Sequence, residues 1–201
     1  MKKFLTLALC GAAVLLQGAV LGEYVFKNKT AQDISPKALH PLNMPEFGAF
    51  VDDAVDLSVS GGIKLPTAAF PGANGTIETE LQVKNKAGYS FLLCYYGGGD
   101  VMNIICSSGR FQVCYFDRSS KKWYNSKWTK AVPYGEFVKL NLVWTMPGKI
   151  ELTVNNSKVA VPVEVEGGFV PRSSVMMLGS NQRGESVFPG LVKNFKLTDG
   201  K

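Results

Sequence analysis

The segment from Asp117 to Lys130, DRSSKKWYNSKWTK, combines aromatic rings with positive charges. Trp123, Tyr124 and Trp128 stand among its basic residues. An indole ring can cover the apolar face of a sugar while neighbouring donors bind hydroxyl or acidic groups. The segment is therefore a candidate ligand-binding site, and its charges suit uronate or sulfate groups. The basic candidates are Arg118, Lys121, Lys122, Lys127 and Lys130.

The same pattern also fits a β-hairpin that is purely structural. In that interpretation alternate aromatic side chains enter the core and the lysines are only solvated. Trp123 and Tyr124 are adjacent, so on a strand their side chains must point to opposite faces. We therefore expect at least one of these two rings to belong to the core, and both interpretations stay open at this point.

Charge and histidine content argue against several classes of function. The 201-residue chain carries a formal net charge of +6. Without Lys2 and Lys3, which lie in a leader-like segment, 20 basic residues face 16 acidic ones, a net charge of +4. This charge is too mild for a dedicated nucleic-acid binder. His40 is the only histidine, which argues against a Ser-His or Cys-His pair and against a multi-histidine zinc site.

Residues 1–22 have the features of a secretory signal peptide. Two lysines precede the apolar run FLTLALCGAAVLLQGAVLG, which is short for a membrane span. Val20 and Gly22 suit the −3 and −1 positions of a cleavage site before Glu23, and Ala19 is a competing end point. We predict cleavage, a secreted, periplasmic or cell-surface location, and no stable membrane span afterwards. A retained N-terminal anchor is the alternative.

Beyond the leader, the chain is typical of an all-β protein. Residues 23–50 contain scattered prolines, so we expect an extended N-terminal lead-in there. Short runs of alternating apolar residues follow, separated by turn residues, and almost no segment shows helical periodicity. This spacing predicts a two-sheet sandwich or barrel over residues 51–201. The runs cover residues 54–66, 75–85, 88–100, 101–116, 137–148, 149–161, 173–180 and 190–200.

The clearest single element is the hairpin KIELTVNNSKVAV, residues 149–161. Apolar residues alternate with polar ones on both arms, so each arm has one buried and one solvated face. Asn155 and Asn156 tolerate positive φ and suit a tight turn between the arms. We therefore predict two paired strands that belong to the framework of the domain.

Three stretches resemble concanavalin A-like lectin/glucanase domains, particularly the laminin-G-like and pentraxin-like branch. GTIETELQVKN is similar to an early strand of that family. Residues 134–161 are similar to its long paired segment, in which a strand ending in Trp precedes a hairpin. Residues 176–197 are similar to its closing motif, a Gly-Ser loop followed by a Phe-x-Gly-Leu strand. The resemblance covers about residues 51–197 and implies an antiparallel jelly-roll sandwich of two curved sheets.

The resemblance also raises the question of catalysis. Related glucanases place carboxylates two residues apart on one strand, because alternate side chains then reach the same glycosidic bond. Glu78, Glu80 and Gln82 occupy such positions, but Gln82 stands where the acid/base Glu is expected and Glu80 replaces the usual Asp. An amide cannot donate and recover a proton near neutral pH. We therefore expect a solvated charged face and no catalytic residue.

Calcium is a partner that the resemblance implies, since many of these sandwiches carry it in loops at one edge. Asp100 and Asn103 offer oxygen ligands. A hard cation needs several such ligands, and no dense Asp/Asn cluster accompanies these two residues. The sequence leaves the metal undetermined and predicts no other cofactor.

Three cysteines remain once the leader is set aside, and an odd number cannot all pair within the chain. Cys94, Cys106 and Cys114 lie in apolar strand-like runs. This placement favours buried, reduced thiols that pack as small hydrophobic side chains over a disulfide between two of them.

Taken together, these features predict an exported, non-catalytic, lectin-like domain that binds a polysaccharide or cell-surface glycan, with acidic polysaccharide as the favoured class. The segment from Asp117 to Lys130 is the expected site. A protein-interaction or adhesion domain without sugar affinity is the main alternative, and a glycoside hydrolase of the same fold is the weaker one.

Overall fold

The computed structural model describes residues 18–27, 30–36, 49–96, 98–164 and 175–200. Most of these residues lie in β-strands, with one helical turn, α1 (Leu57–Ser60), and one 3₁₀ turn (Thr67–Ala69). The strands are β1 (Val20–Lys27), β2 (Thr30–Asp33), β3 (Ala49–Val51), β4 (Ala54–Asp56), β5 (Ile63–Leu65), β6 (Asn74–Val83), β7 (Ser90–Tyr96), β8 (Val101–Ser107), β9 (Arg110–Asp117), β10 (Lys122–Asn125), β11 (Phe137–Thr145), β12 (Gly148–Val154), β13 (Ser157–Val163), β14 (Val175–Leu178) and β15 (Gly190–Asp199).

These strands form two antiparallel sheets that pack face to face. In the described part of the chain, the nine-stranded sheet has the order β13-β12-β11-β6-β15-β1-β2, with β4 pairing to β15 and β3 to β4. The six-stranded sheet has the order β10-β9-β8-β7-β14-β5. The protein is thus an all-β, two-sheet antiparallel jelly-roll sandwich, which confirms the predicted fold class.

The core lies between the sheets because each strand alternates apolar and polar residues. An aromatic stack joins the two layers. Phe70 stacks on Tyr95 of β7 with ring centroids 3.9 Å apart, and on Trp144 of β11 with centroids 5.4 Å apart. Trp144 also donates its indole N–H to the carbonyl of Gly72 at 3.0 Å. This large buried side chain is therefore both packed and hydrogen-bonded.

The predicted hairpin of residues 149–161 is confirmed. Ile150 pairs with Val161 and Leu152 with Val159 across β12 and β13. Asn155 adopts a φ of 52° at the turn, the left-handed conformation for which Asn is suited.

The N-terminal strands belong to the sandwich itself. Strand β1 begins at Val20, inside the predicted signal peptide of residues 1–22, and pairs with both β15 and β2. Ala19 already accepts a hydrogen bond from the backbone N–H of Asp199 at 2.8 Å. The expected lead-in of residues 23–50 therefore supplies sheet strands, and the sheet begins before residue 51. Residues 1–17 and 37–48 lie outside the described residues, and cleavage stays a prediction.

Residues 54–66, expected as one strand-like run, are interrupted by α1. The side chain of Asp56 accepts hydrogen bonds from the backbone N–H of Ser58 at 3.1 Å and from its hydroxyl at 2.5 Å. This cap starts a helical turn, and Gly61 with a φ of 72° ends it. The local cap thus overrides the alternating pattern.

The three described cysteines, Cys94, Cys106 and Cys114, are free and buried. This finding confirms the prediction of reduced, packed thiols. No helix among the described residues is long and apolar enough to cross a membrane.

Candidate functional site

The hairpin of β9 and β10 separates the two adjacent aromatic residues of the predicted site. Trp123 is 51% exposed and packs beside Phe116, its cross-strand partner, with ring centroids 5.0 Å apart. Tyr124 is only 8% exposed and stacks on Tyr115 in the core. Its hydroxyl donates to the carbonyl of Glu164 at 3.2 Å. One of the two rings is therefore core, as expected, and Trp123 is the ring that faces outward.

Two buried carboxylates hold the turn between β9 and β10. Asp117 accepts hydrogen bonds from the backbone N–H and the hydroxyl of Ser119, at 2.9 Å and 2.7 Å, and from Ser120. Burial alone would raise the pKa of Asp117, but these hydrogen bonds outweigh it and hold the pKa below its usual range. Asp100 accepts from the backbone N–H of Arg118 at 2.9 Å. Hydrogen bonds to these two buried carboxylates thus fix the conformation of the exposed turn.

The chain beyond β10 remains attached to β9 through hydroxyl groups. The hydroxyl of Thr129 accepts from the backbone N–H of Phe111 at 2.9 Å, and the hydroxyl of Ser126 accepts from that of Val113 at 3.2 Å. The backbone N–H groups of Thr129 and Ser126 donate back to the carbonyls of the same two residues. Trp128 is held between these attachments and is 38% exposed.

The basic residues of the segment differ in their surroundings. Arg118, Lys121 and Lys127 are exposed. Lys122 is also exposed, but its ammonium lies 4.7 Å from the ring centroid of Tyr124, in a cation–π contact. The segment therefore presents Trp123, Trp128 and a set of cations, while Tyr124 supports them from the core.

A second surface, which sequence reasoning missed, adjoins Trp123. We call it the outer six-stranded face, meaning the residues of that sheet that alternate with its core residues. Cross-strand pairing builds it in four rows. Its described members are Tyr96, Val101, Phe116, Trp123 and Val175 in the first row, Lys64, Met177, Cys94, Asn103, Cys114 and Asn125 in the second, Phe91, Ile105 and Gln112 in the third, and Ser107 and Arg110 in the fourth.

Asn103 lies in the middle of this face. It pairs with Cys94 on one side and Cys114 on the other, and only 9% of its surface is exposed. Its side-chain oxygen has no hydrogen-bond partner among the described residues. Burial raises the pKa of both flanking thiols to about 11, so both are neutral at physiological pH.

The outer face of the nine-stranded sheet has the opposite character. Glu78, Glu80 and Gln82 share this face, as their spacing predicted. Glu80 forms an ion pair with Lys193 at 3.0 Å, and the amide of Gln82 donates to the carbonyl of Gly135. Glu151 is 2.7 Å from the ammonium of Lys158 on the same face. The outer face of the nine-stranded sheet thus carries solvated charges that form ion pairs.

The two oxygen donors considered for calcium do not converge. The carboxylate of Asp100 accepts a hydrogen bond from the hydroxyl of Tyr115, on the core side of the six-stranded sheet. Asn103 lies on the outer side. Within the described ranges, no group of three or more His, Cys, Asp and Glu side chains is placed to hold a metal ion.

Similarity to known proteins is confined to structure. No family model matches the sequence, and no curated protein is significantly similar to it. The binding domain of botulinum neurotoxin serotype D matches with a TM-score of 0.69 and 11% identity, over 90% of this chain and 47% of that one. This chain thus spans about half the length of that neurotoxin domain.

Two further structures share the arrangement. Domain 4 of the GH43 extracellular arabinanase AbnA from Geobacillus stearothermophilus, solved with arabinotriose, matches with a TM-score of 0.67 and 14% identity, over 92% of this chain and 94% of that one. A Trypanosoma rangeli sialidase matches with a TM-score of 0.64 and 14% identity, over 88% of this chain and 30% of that one. At such low identity, these similarities establish a shared β-sandwich fold.

Proposed function

We propose that this protein is an exported, non-catalytic carbohydrate-binding domain of the laminin-G-like type. The observation that carries the proposal is Trp123, a half-exposed indole ring on the outer six-stranded face, beside Phe116 and next to a turn that bears Arg118 and Lys121. An accessible flat ring with hydrogen-bond donors nearby is what stacking on a sugar requires.

The known structures with this fold support a binding role. The neurotoxin chain is named as a binding domain, and the arabinanase domain is bound to arabinotriose. The sialidase differs in being an enzyme, but this chain covers only 30% of it. Two proteins of this fold thus bind another molecule, which supports a binding role for this chain.

In this proposal Trp123 and Trp128 stack on sugar rings, and Arg118, Lys121 and Lys127 attract acidic groups. Lys122 contributes charge from the edge, over the supporting ring of Tyr124. The preferred ligand is an acidic polysaccharide or cell-surface glycan, since exposed cations without buried partners add affinity mainly for anions.

Calorimetry on an acidic oligosaccharide tests the proposal. One Trp→Ala change at Trp123 or Trp128 should weaken binding severalfold to tenfold, because an aromatic stacking contact contributes on the order of 0.5–1.5 kcal/mol beyond its buried area. Val143→Ala is the matched control, because Val143 is exposed to the same 38% as Trp128 but lies on the opposite sheet. Thermal unfolding of each variant separates lost binding from lost folding.

A glycan array with neutral and acidic polysaccharides, run with and without calcium, separates the sugar-binding function from a protein-interaction domain. Raised salt should weaken the lysine contribution, which is screened over about 10 Å at 0.1 M, and leave the stacking contribution. Tryptophan variants that bind like the parent would show that the segment from Asp117 to Lys130 is framework only.

A further inference from the structure

Trp123 has an exposed aromatic counterpart in the same row of the outer six-stranded face. Tyr96 is the last residue of β7, and 42% of its surface is exposed. Its chain neighbour Tyr95 is buried and stacks on Phe70 in the core, so strand alternation directs Tyr96 outward. The first row thus carries two exposed aromatic rings, and only one of them lies in the segment from Asp117 to Lys130.

Cross-strand pairing places these two rings on one line across the sheet. Trp123 pairs with Phe116, and Phe116 pairs with Val101. The register of β7 and β8 then places Val101 opposite Tyr96. Neighbouring strands are about 4.8 Å apart, so the positions of the two exposed rings are separated by about 14 Å, three strand spacings. Phe116, which is half-buried, and Val101, which is buried, form an apolar strip between them.

The aromatic surface runs across the strands and not along them. The next outward residue is Asn125 on the strand of Trp123 and Cys94 on the strand of Tyr96. Both belong to the second row, whose described members include no aromatic side chain and whose central members are buried. A ligand that stacks on both exposed rings must therefore lie over the first row, perpendicular to the strands.

The spacing of the two rings suits an extended sugar chain. One sugar unit of such a chain is about as long as the distance between neighbouring strands, about 4.8 Å. A chain that crosses β10, β9, β8 and β7 therefore places about one unit on each of these four strands. The first unit stacks on Trp123 and the fourth on Tyr96. A coiled chain would leave the surface before it reached the second ring.

The charges beside the first row favour an acidic chain. Arg118 and Lys121 are exposed in the turn after β9, next to the strand of Trp123. The described members of the first row itself are uncharged. The unit over Trp123 can therefore present a carboxylate to the basic turn, whereas the unit over Tyr96 is held by stacking.

We propose that Tyr96 is a second stacking residue of the outer six-stranded face, and that the ligand is a linear acidic polysaccharide bound there as an extended stretch of about four sugar units. The inference rests on the proposed carbohydrate-binding function and names the shape and length of its ligand.

The test is calorimetry with oligomannuronates, oligogalacturonates and neutral cello-oligosaccharides, each from dimer to hexamer. The parent should bind an acidic series most tightly, with an affinity that rises up to the tetramer and then levels off. Tyr96→Ala should weaken binding of the tetramer about two- to tenfold, the loss typical of one aromatic contact. Binding of the trimer should be unchanged, because the trimer does not reach Tyr96. Tyr96→Phe keeps the ring and should bind like the parent.

Tyr134→Ala is the matched control. Tyr134 is 44% exposed, close to the value for Tyr96, but its ring lies against Gly109, just before β9 begins. Gly109 is seven residues before Phe116, about 24 Å along the strand at about 3.4 Å per residue. Its replacement should leave the dependence on chain length unchanged. Thermal unfolding of each variant separates lost binding from lost folding.

The outcomes separate this inference from the function on which it rests. If Trp123→Ala weakens binding but Tyr96→Ala binds the tetramer like the parent, the role of Tyr96 is refuted and the binding function stands. Equal losses for trimer and tetramer in Tyr96→Ala, or tightest binding to the neutral series, also refute the inference. A glycan array that shows binding only to coiled or branched glycans does the same. If the parent binds nothing on the array, the proposed function fails and this inference fails with it.

Discussion

Two buried tyrosines show how a single hydrogen bond decides the role of a residue. The hydroxyl of Tyr115 donates to the carboxylate of Asp100 at 2.9 Å, whereas the hydroxyl of Tyr24 has no partner among the described residues. Both rings are fully buried. Burial raises the pKa of both hydroxyls, and the carboxylate beside Tyr115 raises its pKa further, so neither ionises under ordinary conditions.

Tyr→Phe substitutions at these two sites should therefore have different effects on the stability of the protein. Tyr115→Phe removes a donor from the buried carboxylate of Asp100 and should destabilise the protein by about 1–3 kcal/mol. Tyr24→Phe removes an unsatisfied hydroxyl and should leave stability unchanged or slightly higher. Urea unfolding of the two variants measures the difference, and equal losses in both would contradict the assignment.

Asp56 should make stability depend on pH in the acid range. Burial alone would raise its pKa, but the hydrogen bond from Lys84, in an ion pair of 2.8 Å, and those from Ser58 hold the pKa below the ordinary value. A lowered folded-state pKa means that Asp56 stabilises the fold above the unfolded-state value of about 3.9. This stabilisation is lost as the pH falls from there through the folded-state pKa.

Asp56→Asn keeps the helix cap and removes the charge, so it isolates this effect. We expect a lower melting temperature at neutral pH and a shallower decline of melting temperature below about pH 4. Asp53→Asn, at an exposed neighbouring position, is the control and should give the curve of the parent. Parallel curves for Asp56→Asn and the parent would show that the ion pair does not contribute.

At the residue scale, sequence reasoning succeeded where chain neighbours decide the outcome. The opposite orientation of Trp123 and Tyr124 follows from strand alternation alone, and the left-handed Asn155 from turn chemistry. The make-up of the outer six-stranded face could not be found in this way. It depends on cross-strand pairing, such as that of Asn103 with Cys94 and Cys114, and one sequence does not reveal which strands pair.

At the scale of elements, two hydroxyl groups attach the chain segment after β10 to strand β9. They accept hydrogen bonds from backbone N–H groups of β9, as backbone carbonyls would in a regular strand pair. Ser126→Ala or Thr129→Val leaves a buried backbone N–H of β9 without its partner. Each change should cost about 1–3 kcal/mol in thermal or urea unfolding. Thr145→Val, at an exposed position of β11, is the control and should stay within about 0.5 kcal/mol. Similar small losses in all three variants would argue against the attachment.

Cleavage of the predicted signal peptide before Glu23 would affect stability, because strand β1 begins at Val20. A chain that begins at Glu23 lacks Val20 and Gly22, which pair with β15, and Leu21, which packs against the core. It should melt at a lower temperature than a chain that begins at Val20. Intact-mass analysis of secreted protein should place the mature N-terminus within a few residues of Glu23. A full-length, membrane-retained chain would contradict export.

The elements themselves were predictable to different degrees. The long strands β6, β11, β12 and β15 have clear period-2 patterns and were expected. The strands in residues 23–50 were not, because prolines nearby and a leader-like start suggested an extended segment. α1 was missed because its stability comes from one side-chain cap at Asp56 rather than from helical periodicity.

At the scale of the whole molecule, the outer faces of the two sheets differ in how many charged side chains they carry. The nine-stranded face carries Glu78 and Glu80 among ion pairs, whereas most described side chains of the six-stranded face are uncharged, Lys64 and Arg110 being the exceptions. We therefore expect reducing-end assays on β-glucans, galactans and alginates to stay at background, since Gln82 cannot act as an acid. Turnover that Glu78→Gln abolishes would show that the carboxylates are catalytic.

The pairing of β1 with β15 has a consequence for how this fold can be connected. The first and last described strands lie side by side, with Ala19 and Asp199 joined by a backbone hydrogen bond of 2.8 Å. A short linker from residue 200 to residue 18 would close the chain into a ring without moving either sheet. Opening that ring at the exposed Asn155–Asn156 turn gives a circular permutant in which every strand keeps its neighbours. The sandwich is thus specified by which strands meet, and the order in which they are synthesised is free to change.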